Sequence, residues 1–284
     1  EASRLAVEAV ETGLNPEETS RDVIAAMGDE ILARKMADVI RSGNRNIVHR
    51  AANNPELRGM GTTVTLAFVR GTQATIAHVG DSRAYLVDSR NRRIMQVTDD
   101  HSFVEALVAA GHLTQEQAEE HPMRNVLYRA LGQAEELDVD VYEVHLQSDD
   151  RLILCSDGLT RHVKAHEISE IVLSNRDPET AAQLLIDLAN KRGGEDNVSV
   201  IIVLVESDLP ADSDHNVDST IELTPIAPEP EETVILAERH FVDSASDTED
   251  TLRATDLLTD PKPGQPEHTY ESGGEGRDPR APFQ

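Results

Sequence analysis

The chain has 284 residues, with 26 Lys and Arg against 53 Asp and Glu and a formal charge of −27. It lacks the basic surplus that a nucleic-acid backbone or an anionic lipid surface rewards, and no apolar run approaches the roughly 18–20 residues of a bilayer-spanning helix. One cysteine, Cys155, can form no internal disulfide, so a reducing, cytoplasmic compartment is expected. Glu1 stands first in place of Met and no signal-peptide pattern follows it, so a fragment of a longer protein is expected.

In chain order, Ser3–Thr12 places Leu5, Ala6, Ala9 and Val10 on one helical face. Arg21–Asn53 continues the helical period through Val23, Ile24, Met27, Ile31, Ile40, Ile47 and Val48. Thr62–Val69 alternates Val64, Leu66 and Phe68, the pattern of a half-buried strand, and Gly71 ends it. Gln73–Val79, Arg83–Val87 and Arg93–Val97 follow on short Gly, Asn and Asp connectors, which suit antiparallel hairpins and not parallel crossovers. Phe103–Ala110 returns to helical spacing. Thr114-x-x-Gln117 is a capping box, in which each side chain satisfies the other residue's free backbone N–H. Val139–Leu146, Arg151–Cys155 and the apolar Val198–Val205 read as strands. Between the last two, Asp177-Pro178 caps a helix with a buried stripe of Ala181, Leu184, Leu185 and Leu188, ended by Gly193-Gly194. Helices in two groups, separated by strand blocks, make the fold class α+β.

Composition changes near Asp208. Residues 208–284 hold 19 acidic against 5 basic residues and nine of the 13 prolines. So charged and apolar-poor a segment cannot offset the entropy of ordering. It is expected to be a disordered tail, with Thr233-Val234-Ile235-Leu236 its only candidate strand or partner motif. Residues 1–207 are the expected globular domain.

Four acidic segments carry the candidate chemistry: Gly80-Asp81-Ser82-Arg83, Thr98-Asp99-Asp100-His101-Ser102, Cys155-Ser156-Asp157-Gly158 and Gly194-Glu195-Asp196-Asn197. Each sits at a strand terminus. Glycine beside an Asp lets backbones approach closely while the carboxylate projects from a rigid edge. Singly, each segment reads more readily as a turn than as a ligand, since Asp and Gly are the commonest turn residues. Together, the carboxylates are hard oxygen donors suited to Mg²⁺ or Mn²⁺, and no Cys or His set has zinc spacing. Cys155 reads as a buried structural thiol. His101 reads as a hydrogen-bonding His at a helix start, with a proton shuttle as the alternative. Arg83 either anchors the acidic edge or pairs with a surface carboxylate, and Glu116, Glu119 and Glu120 read as a solvated face.

Six motifs in order resemble the bacterial PPM-type, or type 2C, metal-dependent serine/threonine protein phosphatases. They are Gly59-Met60-Gly61-Thr62-Thr63, Val79-Gly80-Asp81-Ser82-Arg83, Thr98-Asp99-Asp100-His101-Ser102, Arg124-Asn125-Val126-Leu127-Tyr128-Arg129-Ala130-Leu131-Gly132, Leu154-Cys155-Ser156-Asp157-Gly158-Leu159 and Gly193-Gly194-Glu195-Asp196-Asn197-Val198-Ser199. The resemblance implies a four-layer αββα sandwich, two antiparallel sheets flanked by antiparallel helices. It also implies hydrolysis of phosphoserine and phosphothreonine in proteins by water activated between two Mn²⁺ or Mg²⁺ ions. By this resemblance Asp157 and Asp196 are metal ligands, Asp81 helps hold a third, weaker ion, and Asn197 and Gly158 support them from outside. Phe103 to Met123, with Gly111 within it, corresponds to a mobile flap. Asn125 stands where some relatives carry a serine that contacts the third ion.

The resemblance also implies partners: phosphorylated proteins, serine/threonine kinases and their substrates, met by a monomer that counters kinase signalling. One departure is large. The family's opening strands, with a phosphate-gripping Arg and an Asp-Gly-Met-Gly-Gly segment whose Asp bridges both ions, have no match here. The first strands are therefore expected to be missing, leaving an exposed sheet edge, poor solubility, and 284 residues that alone are inactive or weak. A non-catalytic interaction module with an acidic tail and a phosphohydrolase of small esters are the alternative readings.

Overall fold

Alternate residues along the central strands face different layers, and this sorting builds the fold. The computed structural model describes residues 1–14, 27–194, 196–206 and 242–243. Helices α1 (Ala2–Gly13) and α2 (Asp29–Asn53) precede strands β1 (Val64–Arg70), β2 (Gln73–Val79), β3 (Arg83–Asp88) and β4 (Arg93–Gln96). Short helices α3 (Phe103–Ala109) and α4 (Gln115–Glu119) lead to β5 (Asp140–His145) and β6 (Arg151–Cys155). Then come α5 (Asp157–Thr160), α6 (Ala165–Ser174), α7 (Pro178–Lys191), β7 (Val200–Leu204) and the two-residue β8 (Val242–Asp243).

Two antiparallel sheets result, one ordered β1-β2-β5 and the other β7-β6-β3-β4-β8. On β2, Ala74 and Ile76 face the space between the sheets, while Ala77 and Val79 face α1 and α2. On β3, Ala84 and Leu86 point inward and Tyr85 and Val87 outward; β6 repeats this with Leu152 and Ile153. The outward residues of the second sheet meet Ile168 and Val172 of α6 and Ala181, Leu185 and Ala189 of α7. Four layers follow, helices–sheet–sheet–helices, because each sheet must bury both faces. Burying a Leu or Ile side chain contributes about 1.5–3 kcal/mol, and Ile76, Leu152 and Ile153 are all fully buried.

Strands β2 and β6 span the expected residues, and the other β bounds move by one or two positions. The capping box at Thr114 and Gln117 forms as read, and Asp177 accepts from the Thr180 N–H at the start of α7. The long helix begins at Asp29; Arg21–Ala26, with Val23 and Ile24, lies outside the described residues. Helix α6 was not expected: its N-cap is Lys164, which gives no start signal, yet Glu167 accepts from the Lys164 backbone N–H at 3.0 Å. The acidic segment 208–284, including Thr233–Leu236, lies outside the described residues except for β8, which pairs with β4. Strand β1 is an outermost strand of its sheet and is half-buried, with Val64, Leu66 and Phe68 packed toward the helices. No described helix is long and apolar enough to cross a membrane.

Candidate metal centre

The chain turns sharply between β2 and β3 at Gly80-Asp81-Ser82, and Gly80 makes the turn possible. Its φ is +123°, and a Cβ there would collide with the Thr63 side chain. Every polar group of its backbone is held. The Gly80 N–H donates to His101 Nδ1 at 3.0 Å, and the Gly80 carbonyl accepts from the His101 N–H at 2.7 Å and from His78 Nε2 at 3.1 Å. Because His101 Nδ1 accepts, its proton sits on Nε2, which donates to Asp140 Oδ2 at 3.0 Å. Arg129 donates to the other Asp140 oxygen at 2.5 Å. Burial alone would raise the Asp140 carboxyl, but the hydrogen bond from His101 and the charge of Arg129 hold it below its ordinary value. His101 is 1% exposed, so it is the hydrogen-bonding His expected, shut away from any role as a shuttle to solvent.

This scaffold presents Asp81. Burial, and next the charge of Asp157, push its carboxyl up to about 6. Asp157 opens α5, with Ser156 at the N-cap, and Ser156 also ties down the strand opposite. The Ser156 N–H donates to the Ser199 carbonyl at 3.0 Å, the Ser199 N–H to Ser156 Oγ at 3.0 Å, and Ser156 Oγ to the Asn197 carbonyl at 3.2 Å. Gly158 packs against that strand: a Cβ on it would lie 2.5 Å from the Asn197 carbonyl oxygen. Asn197 supports Asp196 through its main chain, its N–H donating to Asp196 Oδ1 at 2.7 Å. The two segments, distant in sequence, are thus stapled so that Asp157 and Asp196 both come within reach of one side chain. One guanidinium touches both: Arg161 donates to Asp157 and lies 3.5 Å from Asp196 Oδ2.

A cleft of about 460 Å³ opens beside Asp81 and Asp157, lined also by Arg161, Lys164, Glu105, Gln115, Glu119 and Asn125, while Asp196 does not line it. The expected flap region therefore flanks the site. Asn125 lines the cleft; Phe103, Gly111 and Met123 do not line it, and Phe103 and Met123 are exposed. Lys164 holds Glu119 through both carboxylate oxygens at 2.5 Å, so this part of the acidic helix is paired. Arg83 is the anchor, not a surface partner: it grips Asp100 bidentately at 2.8–3.0 Å and donates to the Tyr85 hydroxyl at 3.0 Å. Cys155 is buried, and burial pushes its thiol up to about 12, which removes it as a thiolate donor.

The donor chemistry fits a hard divalent cation. Asp81, Asp157 and Asp196 offer only oxygen, and the chain already sets a positive group across two of them. Among the described residues no three His, Cys, Asp or Glu side chains converge closely enough to enclose an ion. One or two carboxylates with water completing the shell is, however, the ordinary protein share for Mg²⁺. Arg161 escaped the sequence reading, although its place four residues after Asp157, one helical turn away, was a usable signal. The His101–Asp140–Arg129 relay had no such signal, since its members join only through the fold.

The four-layer arrangement of two antiparallel sheets between helices defines the class of protein by its fold. A family profile described as Protein phosphatase 2C matches residues 1–192, and the chain belongs to that family. It is 41% identical over 189 residues to the serine/threonine phosphatase stp of Listeria monocytogenes, covering 66% of this chain and 73% of the relative. The crystal structure of the serine/threonine phosphatase Stp1 from Staphylococcus aureus superposes with a TM-score of 0.64 at 34% identity, over 70% of this chain and 77% of that one. The catalytic domain of PstP, a serine/threonine protein phosphatase solved in complex with two manganese ions, superposes with a TM-score of 0.59 at 33% identity, over 71% and 79% of the two chains.

Proposed function

We propose that this chain hydrolyses phosphoserine and phosphothreonine in proteins, opposing serine/threonine kinases, with Asp157 and Asp196 holding a pair of Mn²⁺ or Mg²⁺ ions and Asp81 helping to hold a third. The observation that supports the reading is that Asp157 and Asp196, from segments distant in sequence, both lie against the Arg161 guanidinium. Ions bound there would supply Lewis-acid polarisation of the phosphoryl group and a nucleophile at neutral pH. The protein's own part is geometric. Ser156 and Gly158 fix the separation of the two carboxylates, Gly80 and His101 aim Asp81, and the flap helices α3 and α4 wall the cleft against bulk water. Monomeric action and a cytoplasmic location belong to the same proposal, as does an acidic tail beyond residue 207.

Phosphate release from a phosphothreonine peptide and from p-nitrophenyl phosphate, with Mn²⁺ and with EDTA, tests the reading. Peptide turnover that needs Mn²⁺ and disappears in Asp157→Asn supports it. Release that persists in EDTA, or that is confined to the small ester, contradicts it. Capture of the phosphopeptide with no release in either condition would likewise contradict it.

A further inference from the structure

Arg161 occupies the place a metal ion would compete for. It lies one turn after Asp157, at the C-cap of α5, and that contact alone would be an ordinary i,i+4 pair. Its second contact is not. Nη1 lies 3.5 Å from Asp196 Oδ2, 35 residues on, in a segment that α5 meets only through the fold. A planar guanidinium has two arms and can span two carboxylates, where an ammonium offers a single point of charge. Without a cation between them, Asp157 and Asp196 would repel each other. A divalent ion drawn to the same two carboxylates would meet the like charge of the guanidinium beside them, so the two cations compete.

We infer that Arg161 is an internal counter-cation, which holds Asp157 and Asp196 together in the ion-free protein and is displaced when divalent ions bind there. The inference rests on the metal reading above and deepens it: affinity for ions is set against Arg161. Displacement is feasible because the Arg161 side chain is 31% exposed and borders the open cleft, so it can swing away without unfolding α5. Lys164 supplies the contrast. It lines the same cleft with the same charge, but its ammonium is committed to Glu119.

The test is titration with Mn²⁺, followed by the electron paramagnetic resonance of the free ion, at fixed pH and ionic strength. Wild type is compared with Arg161→Gln, Arg161→Lys and Lys164→Gln. Arg161→Gln is expected to bind Mn²⁺ about three- to tenfold more tightly, the competition expected of one or two half-exposed ion pairs. Arg161→Lys should fall between, and Lys164→Gln should shift affinity clearly less than Arg161→Gln. In EDTA, Arg161→Gln should melt below wild type, and saturating Mn²⁺ should close the gap, a reversal that a purely structural role would not give. Equal or weaker Mn²⁺ binding by Arg161→Gln overturns the inference, as does equal tightening in Lys164→Gln. Failure of wild type to bind Mn²⁺ at all would instead overturn the metal reading beneath it.

Discussion

Replacing Gly158 with Ala tests the staple between the two halves of the site. Two effects of opposite sign compete. Alanine in place of glycine within a helix favours the folded state by up to about 1 kcal/mol. Against this, the new methyl carbon would lie 2.5 Å from the Asn197 carbonyl oxygen and 3.1 Å from its carbon. Both neighbours are backbone, and three hydrogen bonds to Ser156 hold that backbone in place. It cannot yield cheaply, and overpacking of this kind costs about 1–3 kcal/mol. The steric effect wins, leaving a net loss of about 1–2 kcal/mol, a fall of roughly 2–8 °C in Tm for a domain of this size. Because the strain separates α5 from residues 196–198, Mn²⁺ affinity should fall with stability. Thermal melts with and without Mn²⁺ measure both. A Gly158→Ala protein as stable as wild type, with unchanged Mn²⁺ affinity, would refute the staple.

Three further outcomes follow from the same structure. Burial, and next the neighbouring His101 imidazole, hold His78 at about 4 against an ordinary 6.5. Between those values the unfolded chain takes up a proton that the folded one refuses, so this group's contribution of about 3 kcal/mol is complete above pH 6.5 and lost as pH falls toward 4. Urea unfolding across pH 4–7 should show the loss in wild type and a flatter curve in His78→Asn; parallel curves would count against it. Ser169 on α6 is fully buried, and its hydroxyl has no hydrogen-bond partner among the described residues. Ser169→Ala should therefore stabilise the fold by about 1 kcal/mol, and a lower Tm would argue against an unsatisfied hydroxyl. Asp157→Asn and Asp196→Asn should each weaken Mn²⁺ binding by at least the roughly 10–100-fold that outer-shell changes cost, and Asp81→Asn by less. Calorimetric titration giving equal losses for Asp81 and Asp157 would undo the division between a central pair and a third ion.

Much of this was legible because local and global preferences agree. Gln73–Val79 and Arg151–Cys155 are apolar, bounded by Gly or Asp, and too short for stable helices, so their strand state was fixed by pattern. Asp81, Asp157 and Asp196 were legible through their glycine neighbours, which the structure explains by close backbone approach at Gly80 and Gly158. Helix α6 was hidden because Lys164 caps it with its main chain and a borrowed glutamate. The clamp on Gly80 was hidden for another reason: Asp140 lies 39 residues beyond His101, and no spacing rule joins them. Arg161 combined both cases, visible to Asp157 as a helical neighbour and to Asp196 only in three dimensions.

Anomalous diffraction from crystals grown with Mn²⁺ addresses the central claim most directly. The account predicts density for bound ions within direct coordination distance, roughly 2.0–2.2 Å, of carboxylate oxygens from both Asp157 and Asp196, with the Arg161 side chain turned away into the cleft. Anomalous peaks elsewhere, with the guanidinium still bridging the two aspartates, would contradict it.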